Sequence, residues 1–301
     1  MGRATANLVA ADRSGLSAYI ELLKPITWFP PMWAYGCGVI SSGQALQERW
    51  PFAIAGMLLA GPLVCGTSQV VNDWFDRHVD AINEPDRPIP SGRVPGSRAL
   101  YFGIGWTMVS LACSLFLGAW VAIAATLGLA LAWAYSAPPF RLKRNGWWGN
   151  AAVGLCYEGL PWFTAAAVMA GSLPDTKIVL LALLYSVGAH GIMTLNDFKA
   201  IEGDRVMGVR SLPVQLGPDG AAKLASAVMV LPQLVVVGLL LGWGREWHAL
   251  IVAALVAVQA VLMWRFVRDP VARATWLSAN GVTLYVLGML ASAFAVRSLA
   301  L

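Results

Sequence analysis

Long apolar segments separated by short polar loops dominate this chain of 301 residues. A helix that spans a bilayer needs about 20 mostly apolar residues. Gly118 interrupts a nearly continuous apolar stretch, so we place a turn there. The pattern predicts an all-α integral membrane protein with nine transmembrane helices, at residues 26–43, 51–72, 99–117, 119–136, 149–171, 177–196, 221–242, 247–265 and 275–297.

The composition favours a protein embedded in the lipid bilayer over a soluble one. Hydrophobic residues make up 58% of the chain and charged residues only 12%, and the mean hydropathy is +0.64. A soluble domain carries about 25% charged residues. The net charge of +5 does not come from a basic run with interleaved polar residues, which argues against nucleic-acid binding. The four cysteines lie in apolar stretches, as is typical of small core residues.

Lysine and arginine are distributed unevenly among the predicted loops. If the N-terminal tail, residues 1–24, is cytoplasmic, then 17 of the 21 Lys and Arg side chains fall on the cytoplasmic side. Cytoplasmic loops of membrane proteins carry such an excess of positive charge. We therefore expect a multi-pass protein whose tail and whose two most acidic loops face the cytoplasm.

The first acidic motif begins at the end of the second predicted span. Asn72, Asp73, Asp76 and Asp80 would share one helix face if the helix continues through them. The three carboxylates would then span about 10 Å, and charges so close repel one another unless a cation lies among them. Hard oxygen ligands without a His or Cys cluster favour magnesium. The other interpretation is a solvated acidic helix end.

The second motif repeats the pattern four predicted spans later. Asn196-Asp197 begins it, and Asp204 follows Asp197 by seven residues, as Asp80 follows Asp73. On one continuous helix Asp197 and Asp204 would share a face, whereas Glu202 would point elsewhere and is the weaker candidate. The resemblance between the two loops suggests an internal repeat of about four helices. We expect Asp73, Asp76, Asp80, Asp197 and Asp204 to be catalytic magnesium ligands.

Basic residues accompany both motifs. Arginine and lysine are the side chains that bind phosphate oxygens best, although the positive-inside rule alone would also place cations here. With the two asparagines, the candidates for diphosphate binding are Asn72, Asn196, Arg87, Arg93, Arg141 and Lys143.

At these residues the sequence resembles the UbiA prenyltransferase superfamily, from Lys24-Pro25 to the last predicted helix. The resemblance is carried by Asn72-Asp73-x-x-Asp76-x-x-x-Asp80, Arg87-Pro88-x-Pro90-Ser91-Gly92, Tyr135-Ser136-Ala137-Pro138-Pro139 and Asp197 with Asp204. Trp28-Phe29-Pro30-Pro31, Asn145-Gly146-Trp147 and Tyr157-Glu158-Gly159 look most like the chlorophyll and bacteriochlorophyll synthase branch, especially its bacterial members. Ala200 stands where many superfamily members have another Asp, which fits that branch better than the quinone-pathway branches.

The resemblance implies a fold, a reaction and a location. It implies one UbiA-type domain over residues 1–301, with nine helices around a central cavity and two Mg²⁺ ions that hold a prenyl diphosphate. The reaction would esterify the propionate of bacteriochlorophyllide with a geranylgeranyl or phytyl group, at the last stage of bacteriochlorophyll synthesis. The protein would lie in a bacterial inner or photosynthetic membrane, and could associate with other pigment-pathway proteins.

Glu158 and His190 are polar residues inside predicted spans. A carboxylate at such a depth is costly and usually functional, so Glu158 is a candidate for acceptor binding, with a hydrogen-bonded core Glu as the other interpretation. His190 precedes Asp197 by seven residues and is a candidate ligand of the acceptor's central magnesium, with an ordinary core histidine as the alternative.

Two other functions remain open at this point. Another branch of the superfamily would use the same metal site with a quinone precursor or haem as acceptor. An ion-coupled transporter would also need buried carboxylates, but transporters place them near the bilayer midplane, whereas all the acidic clusters here lie at one membrane edge.

Overall fold

A computed structural model describes residues 15–297 and Leu299, and within these residues all regular secondary structure is helical apart from one isolated bridge between Asn145 and Arg210. Of the predicted tail, residues 1–24, the first 14 residues lie outside the described part of the chain. In chain order the α-helices are α1 Leu16–Leu22, α2 Phe29–Ser41, α3 Leu46–Leu58, α4 Gly66–Asn83, α5 Arg98–Leu117, α6 Ala119–Ser136, α7 Gly146–Gly154, α8 Leu160–Ala170, α9 Thr176–Asp197, α10 Ile201–Met207, α11 Leu212–Gly242, α12 Glu246–Arg268 and α13 Pro270–Arg297.

Short 3₁₀ and π segments join some of these helices. The 3₁₀ turns are Pro25–Trp28 and Leu142–Arg144, and the π segments are Leu59–Cys65 and Leu155–Gly159. Pro62 lies within the first π segment, and Pro161 follows the second by two residues. Proline has no N–H to donate, which disturbs the regular α-helical ladder at these places.

Eight helices in the described part of the chain are long and apolar enough to cross a membrane, so the predicted count of nine is not confirmed. The span predicted at 26–43 is not among them, because it divides into the 3₁₀ turn and the 13-residue helix α2. Lys24 adopts a left-handed backbone conformation, and Pro25 follows it. The helical segment that begins at Pro25 therefore cannot extend back through Lys24 into α1. The span predicted at 51–72 is the continuous stretch Leu46–Asn83, formed by α3, the π segment and α4. The predicted turn at Gly118 is confirmed.

The described residues form two compact units, and each unit carries one acidic motif. Among the described residues, the first unit takes in 15–29 together with Leu58–Arg141, and a small core of Leu22, Val70 and Ala99 lies within it. The second takes in Pro30–Met57 together with 142–297. The single-domain assignment over residues 1–301 stays a prediction.

The core of the second unit is built around buried aromatic side chains. Trp162 stacks on Tyr185 with ring centroids 5.7 Å apart, and Tyr285 meets Tyr185 edge-on at 5.3 Å. Their polar atoms are satisfied internally, since Trp162 Nε1 donates to Ser41 Oγ at 2.9 Å and Tyr285 Oη donates to the carbonyl of Tyr185 at 2.6 Å. The hydrogen bonds fix how these helices pack, because an unmade bond in an apolar interior is costly.

A buried amide pair joins α11 and α12. Gln233 Nε2 donates to Gln259 Oε1 at 3.1 Å, Gln259 Nε2 donates back to Gln233 Oε1 at 3.2 Å, and both side chains are fully buried. We expect Gln233→Leu alone to lower the free energy of unfolding by about 1–2 kcal/mol, because it strands the amide of Gln259. Gln233→Leu with Gln259→Leu should recover most of that loss in thermal unfolding in detergent. A double variant no more stable than the single one would contradict this.

Candidate functional site

The first acidic motif lies on α4, as predicted, and two of its three carboxylates are buried. The side chain of Asp73 is only 3% exposed and that of Asp80 only 10%. Lys24 Nζ lies 2.6 Å from Asp73 Oδ1, where it donates a charge-assisted hydrogen bond. The left-handed conformation of Lys24 ends α1 and precedes the 3₁₀ turn that begins at Pro25.

Arg87 joins the two buried carboxylates. Its Nη1 lies 2.9 Å from Asp80 Oδ2 and 3.5 Å from Asp73 Oδ1, and its Nε contacts Glu84. Burial lowers the pKa of Arg87, but Asp73, Asp80 and Glu84 together raise it by more, so the net pKa lies above the ordinary arginine value. Arg87 therefore stays fully charged, and the group Lys24, Asp73, Asp80 and Arg87 is a compact, nearly neutral charge cluster.

The other two residues of the first motif contact the last residue of α6 and the chain that follows it. Asp76 lies 3.9 Å from Arg141 Nη2, and Asn72 Nδ2 donates to Ser136 Oγ at 3.3 Å. Arg141 has a left-handed backbone, and its buried Nε has no hydrogen-bond partner in the described part of the chain. The Tyr135–Pro139 stretch thus supplies the Ser136 hydroxyl as a partner for Asn72, and Arg141, two residues after it, lies beside Asp76.

Arg93 is placed differently from Arg87, although the sequence predicts the same role for both. It makes a two-pronged ion pair with Glu21, at 2.6 and 2.8 Å, and also donates to the carbonyl of Asp86. The hydrogen bonds to Glu21 raise the pKa of Arg93. The structure therefore gives Arg93 a contact that joins α1 to the loop after α4, and its role in diphosphate binding stays a prediction.

The second acidic motif does not lie on one helix, so the prediction that Asp197 and Asp204 share a helix face is wrong. Helix α9 ends at Asp197, and Asp204 belongs to the separate helix α10. Phe198, at the break, is almost fully buried and meets Phe266 edge-on at 5.4 Å. Tertiary packing of this ring leads the chain away from the axis of α9.

Asp197 is held by side chains of its own unit. Asn150 Nδ2 lies 3.2 Å from Asp197 Oδ2 and 3.3 Å from Thr194 Oγ1, and Thr194 Oγ1 donates to the carbonyl of His190 at 3.0 Å. The amide of Leu212 also donates to the carboxylate of Asp197. These contacts orient the carboxylate at the end of α9 without supplying a positive charge.

The remaining candidates of the second motif are more exposed. Asp204 is half-buried, and this burial raises the pKa of its carboxyl. Asp197 and Asp204 are near enough to repel each other electrostatically. Asn196 is exposed, Glu202 pairs with Arg205 at 3.0 Å on the surface, and Lys143 lies in the 3₁₀ turn Leu142–Arg144.

The two candidates inside predicted spans both belong to the second unit. The ring of His190 hydrogen-bonds with the backbone of Trp147 and lies 5.9 Å from the indole ring, so it has the partner of an ordinary core histidine. Glu158 lies in the π segment Leu155–Gly159, is 5% exposed, and its Oε2 has no hydrogen-bond partner among the described residues.

Lys24, Ser136 and Asn150 each contact a residue of an acidic motif directly through a side chain, and none of them was predicted as a site residue. Lys24 and Ser136 lie in the Lys24-Pro25 and Tyr135-Ser136-Ala137-Pro138-Pro139 stretches, which carry the family resemblance and could have indicated them. Asn150 follows Asn145-Gly146-Trp147 by a few residues, and nothing in its local sequence distinguishes it from a polar helix residue.

The side chains as placed do not form a preassembled metal cage, since no three His, Cys, Asp or Glu residues in the described ranges are arranged to hold one ion. The donor set nevertheless fits magnesium, which is usually held by one or two carboxylates while substrate phosphates and water complete its coordination. Asp73 and Asp80 already accommodate two positive charges, from Lys24 and Arg87. Within the second unit, Asp197 is the corresponding oxygen donor.

Comparison with proteins of known sequence finds relatives that match more than nine-tenths of this chain. The chain is 58% identical to the bacteriochlorophyll synthase 33 kDa chain of Cereibacter sphaeroides, over 94% of this chain and 93% of that protein. It is 53% identical to the protein of the same description from Rhodobacter capsulatus, over 93% of each chain. It is 38% identical to the chloroplastic chlorophyll synthase of Oryza sativa, over 92% of this chain and 76% of that protein.

Solved structures share the fold at lower identity. A structure from work on digeranylgeranylglyceryl phosphate synthase in membranes superposes with a TM-score of 0.76 at 23% identity, over 95% of this chain and 99% of that one. A UbiA homologue from Archaeoglobus fulgidus bound to GPP and Mg²⁺ gives a TM-score of 0.71 at 20% identity, over 93% and 99%. The sequence matches the UbiA prenyltransferase family over residues 25–295, and the chain therefore belongs to that family.

Proposed function

We propose that this protein esterifies the propionate carboxylate of bacteriochlorophyllide with a geranylgeranyl or phytyl group taken from its diphosphate, in a magnesium-dependent reaction. The observation that carries this proposal is the 58% identity, over 94% of the chain, to a protein described as a bacteriochlorophyll synthase chain. Membership of a prenyltransferase family supports the reaction type. It also disfavours the ion-coupled transporter that the buried carboxylates left open.

The carboxylates of the two motifs would hold magnesium; Asp73 and Asp80 are buried, whereas Asp76, Asp197 and Asp204 are partly buried. Bound magnesium neutralises negative charge on the leaving diphosphate. Lys24 and Arg87 already lie at hydrogen-bonding distance from the first-motif carboxylates, so either cation can reach a phosphate oxygen beside them. Arg141, whose Nε has no hydrogen-bond partner in the described ranges, is a further donor for the diphosphate.

In the reaction an oxygen of the acceptor's propionate attacks the first carbon of the prenyl chain, and the allylic C–O bond to the diphosphate breaks. The electron pair of that bond leaves with the diphosphate. Positive charge develops on the allyl group, and aromatic faces stabilise such charge. Phe75, beside Asp76, and Trp133 meet edge-on at 6.3 Å and are candidates for this role. An apolar surround also keeps water from capturing the cation.

We further propose that the protein lies in the bacterial inner membrane with both acidic motifs on the cytoplasmic side. Support comes from the charge distribution of the loops and from the eight spanning helices of the described chain. Association with other proteins of pigment synthesis stays a prediction.

A product assay tests the proposal. Membranes that contain the protein would be given bacteriochlorophyllide, geranylgeranyl diphosphate and magnesium, with and without a chelator. We expect an esterified pigment that forms only when magnesium is available. Prenylation of a quinone precursor or haem without any pigment ester would retain the family and its metal site but overturn the assigned acceptor.

A further inference from the structure

Glu158 is a buried carboxyl group that the reaction above does not use. Its residue is 5% exposed, and its Oε2 has no hydrogen-bond partner among the described residues. The ion pairs of the described chain involve other carboxylates. A buried polar atom left unpaired is costly, so its retention calls for an explanation beyond packing.

Close helix packing holds the backbone around Glu158. The π segment Leu155–Gly159 follows α7, and both Gly154 and Gly159 lie against Ser186 of α9. A Cβ at Gly154 would come within 2.7 Å of the Ser186 carbonyl, and one at Gly159 would clash with the Ser186 hydroxyl. Glu158 is therefore placed by rigid helix contacts rather than by a loop, as a precise binding group needs to be.

The surroundings of Glu158 favour its uncharged form. Cys37 of α2 and Tyr285 of α13 interact with it electrostatically, and neither is a cation. The hydroxyl of Tyr285 already donates to the carbonyl of Tyr185. An ionised carboxylate without a cation is very costly in such a place, whereas the neutral acid retains an O–H donor that no described group uses.

We propose that Glu158, as the neutral acid, donates a hydrogen bond to a ring carbonyl of the tetrapyrrole acceptor. This inference rests on the proposed function, because it presumes a tetrapyrrole acceptor. The macrocycle is large and mostly apolar, and its carbonyl oxygens are among the few polar features that an apolar bundle can recognise. A buried donor that is paired only when the carbonyl is present discriminates against molecules that lack it.

Binding of bacteriochlorophyllide to the purified protein, without prenyl donor, tests the proposal independently of turnover. Glu158→Gln retains a neutral donor of the same length, whereas Glu158→Leu removes it. We expect Glu158→Leu to raise the acceptor Kd about tenfold and Glu158→Gln to stay within about threefold of wild type. Resonance Raman spectra should show a carbonyl stretch shifted to lower frequency in wild type and Glu158→Gln, and unshifted in Glu158→Leu.

Two controls separate acceptor recognition from a structural role. Thr164→Val, in α8 and similarly buried, should bind the acceptor like wild type. Glu158→Leu should unfold at the same temperature as wild type or higher, because it removes an unpaired polar group, and its affinity for the prenyl diphosphate should be unchanged.

The opposite results would overturn the inference. Wild-type acceptor affinity in Glu158→Leu, with the carbonyl shift intact, would show that Glu158 does not contact the ring. A loss in Glu158→Gln as large as that in Glu158→Leu would show that the group does not act as a neutral donor. If instead the wild-type protein does not bind bacteriochlorophyllide but prenylates another acceptor, the proposed function itself fails, and this inference fails with it.

Discussion

Asp73→Asn and Asp197→Asn are each expected to lower kcat/KM by about 10³-fold at saturating magnesium. Each replaces a charged oxygen ligand by a neutral amide that binds magnesium poorly, and metal stabilisation of a leaving group is worth several kcal/mol. Asp73 is almost fully buried beside Lys24 and Arg87, so bulk water cannot substitute for the lost charge. The measurement is the rate of pigment ester formation as a function of magnesium concentration.

Asp86→Asn is the matched control for these variants. Asp86 is an exposed carboxylate in the loop after α4; its backbone carbonyl accepts a hydrogen bond from Arg93, and its carboxylate interacts electrostatically with the same arginine. Its replacement should leave kcat/KM within about twofold of wild type, as surface substitutions usually do. Full magnesium-dependent turnover in either Asp73→Asn or Asp197→Asn would remove that residue from the proposed metal ligands.

Arg87→Met and Arg93→Met are expected to separate two arginines for which the sequence predicts the same role. Arg87→Met removes the only cation that hydrogen-bonds to the buried carboxylate of Asp80 in the described part of the chain, at 10% exposure, and should lower the free energy of unfolding by about 2–4 kcal/mol. Arg93→Met leaves Glu21 without its ion-pair partner, but the Glu21 side chain is 49% exposed and water can solvate it. The free energy of unfolding should therefore fall by at most about 1 kcal/mol. Thermal unfolding in detergent, with and without magnesium, measures both.

The variant Arg87→Met with Asp80→Asn provides the internal control. Removing the stranded charge should recover much of the stability lost in Arg87→Met, because the cost comes from an unpaired buried carboxylate rather than from the arginine itself. Equal losses in Arg87→Met and Arg93→Met would contradict the contrast that the structure indicates. Activity should fall in Arg87→Met even where the protein remains folded, if Arg87 also binds the diphosphate.

The apolar pattern was sufficient to predict most spanning helices, because hydropathy and the need to satisfy the backbone in lipid are properties of each segment alone. It failed at 26–43, where the chain forms the 3₁₀ turn Pro25–Trp28 and then the 13-residue helix α2, too short to be a spanning helix. It also could not predict the break after Asp197. No Gly or Pro marks that break, and it follows from the packing of Phe198 against Phe266.

For the candidate site, the sequence by itself determined which residues carry charge, how they are spaced, and to which family the chain belongs. Tertiary structure decided which partner each charge has. Lys24 lies 49 residues from Asp73 along the chain, and Asn150 lies 47 from Asp197, yet both pairs are in contact. The tertiary structure also gives the two arginines different partners: Arg87 joins two buried carboxylates, whereas Arg93 pairs with Glu21. Such pairings depend on how distant segments pack, whereas hydropathy and motif spacing are local and can be read along the chain.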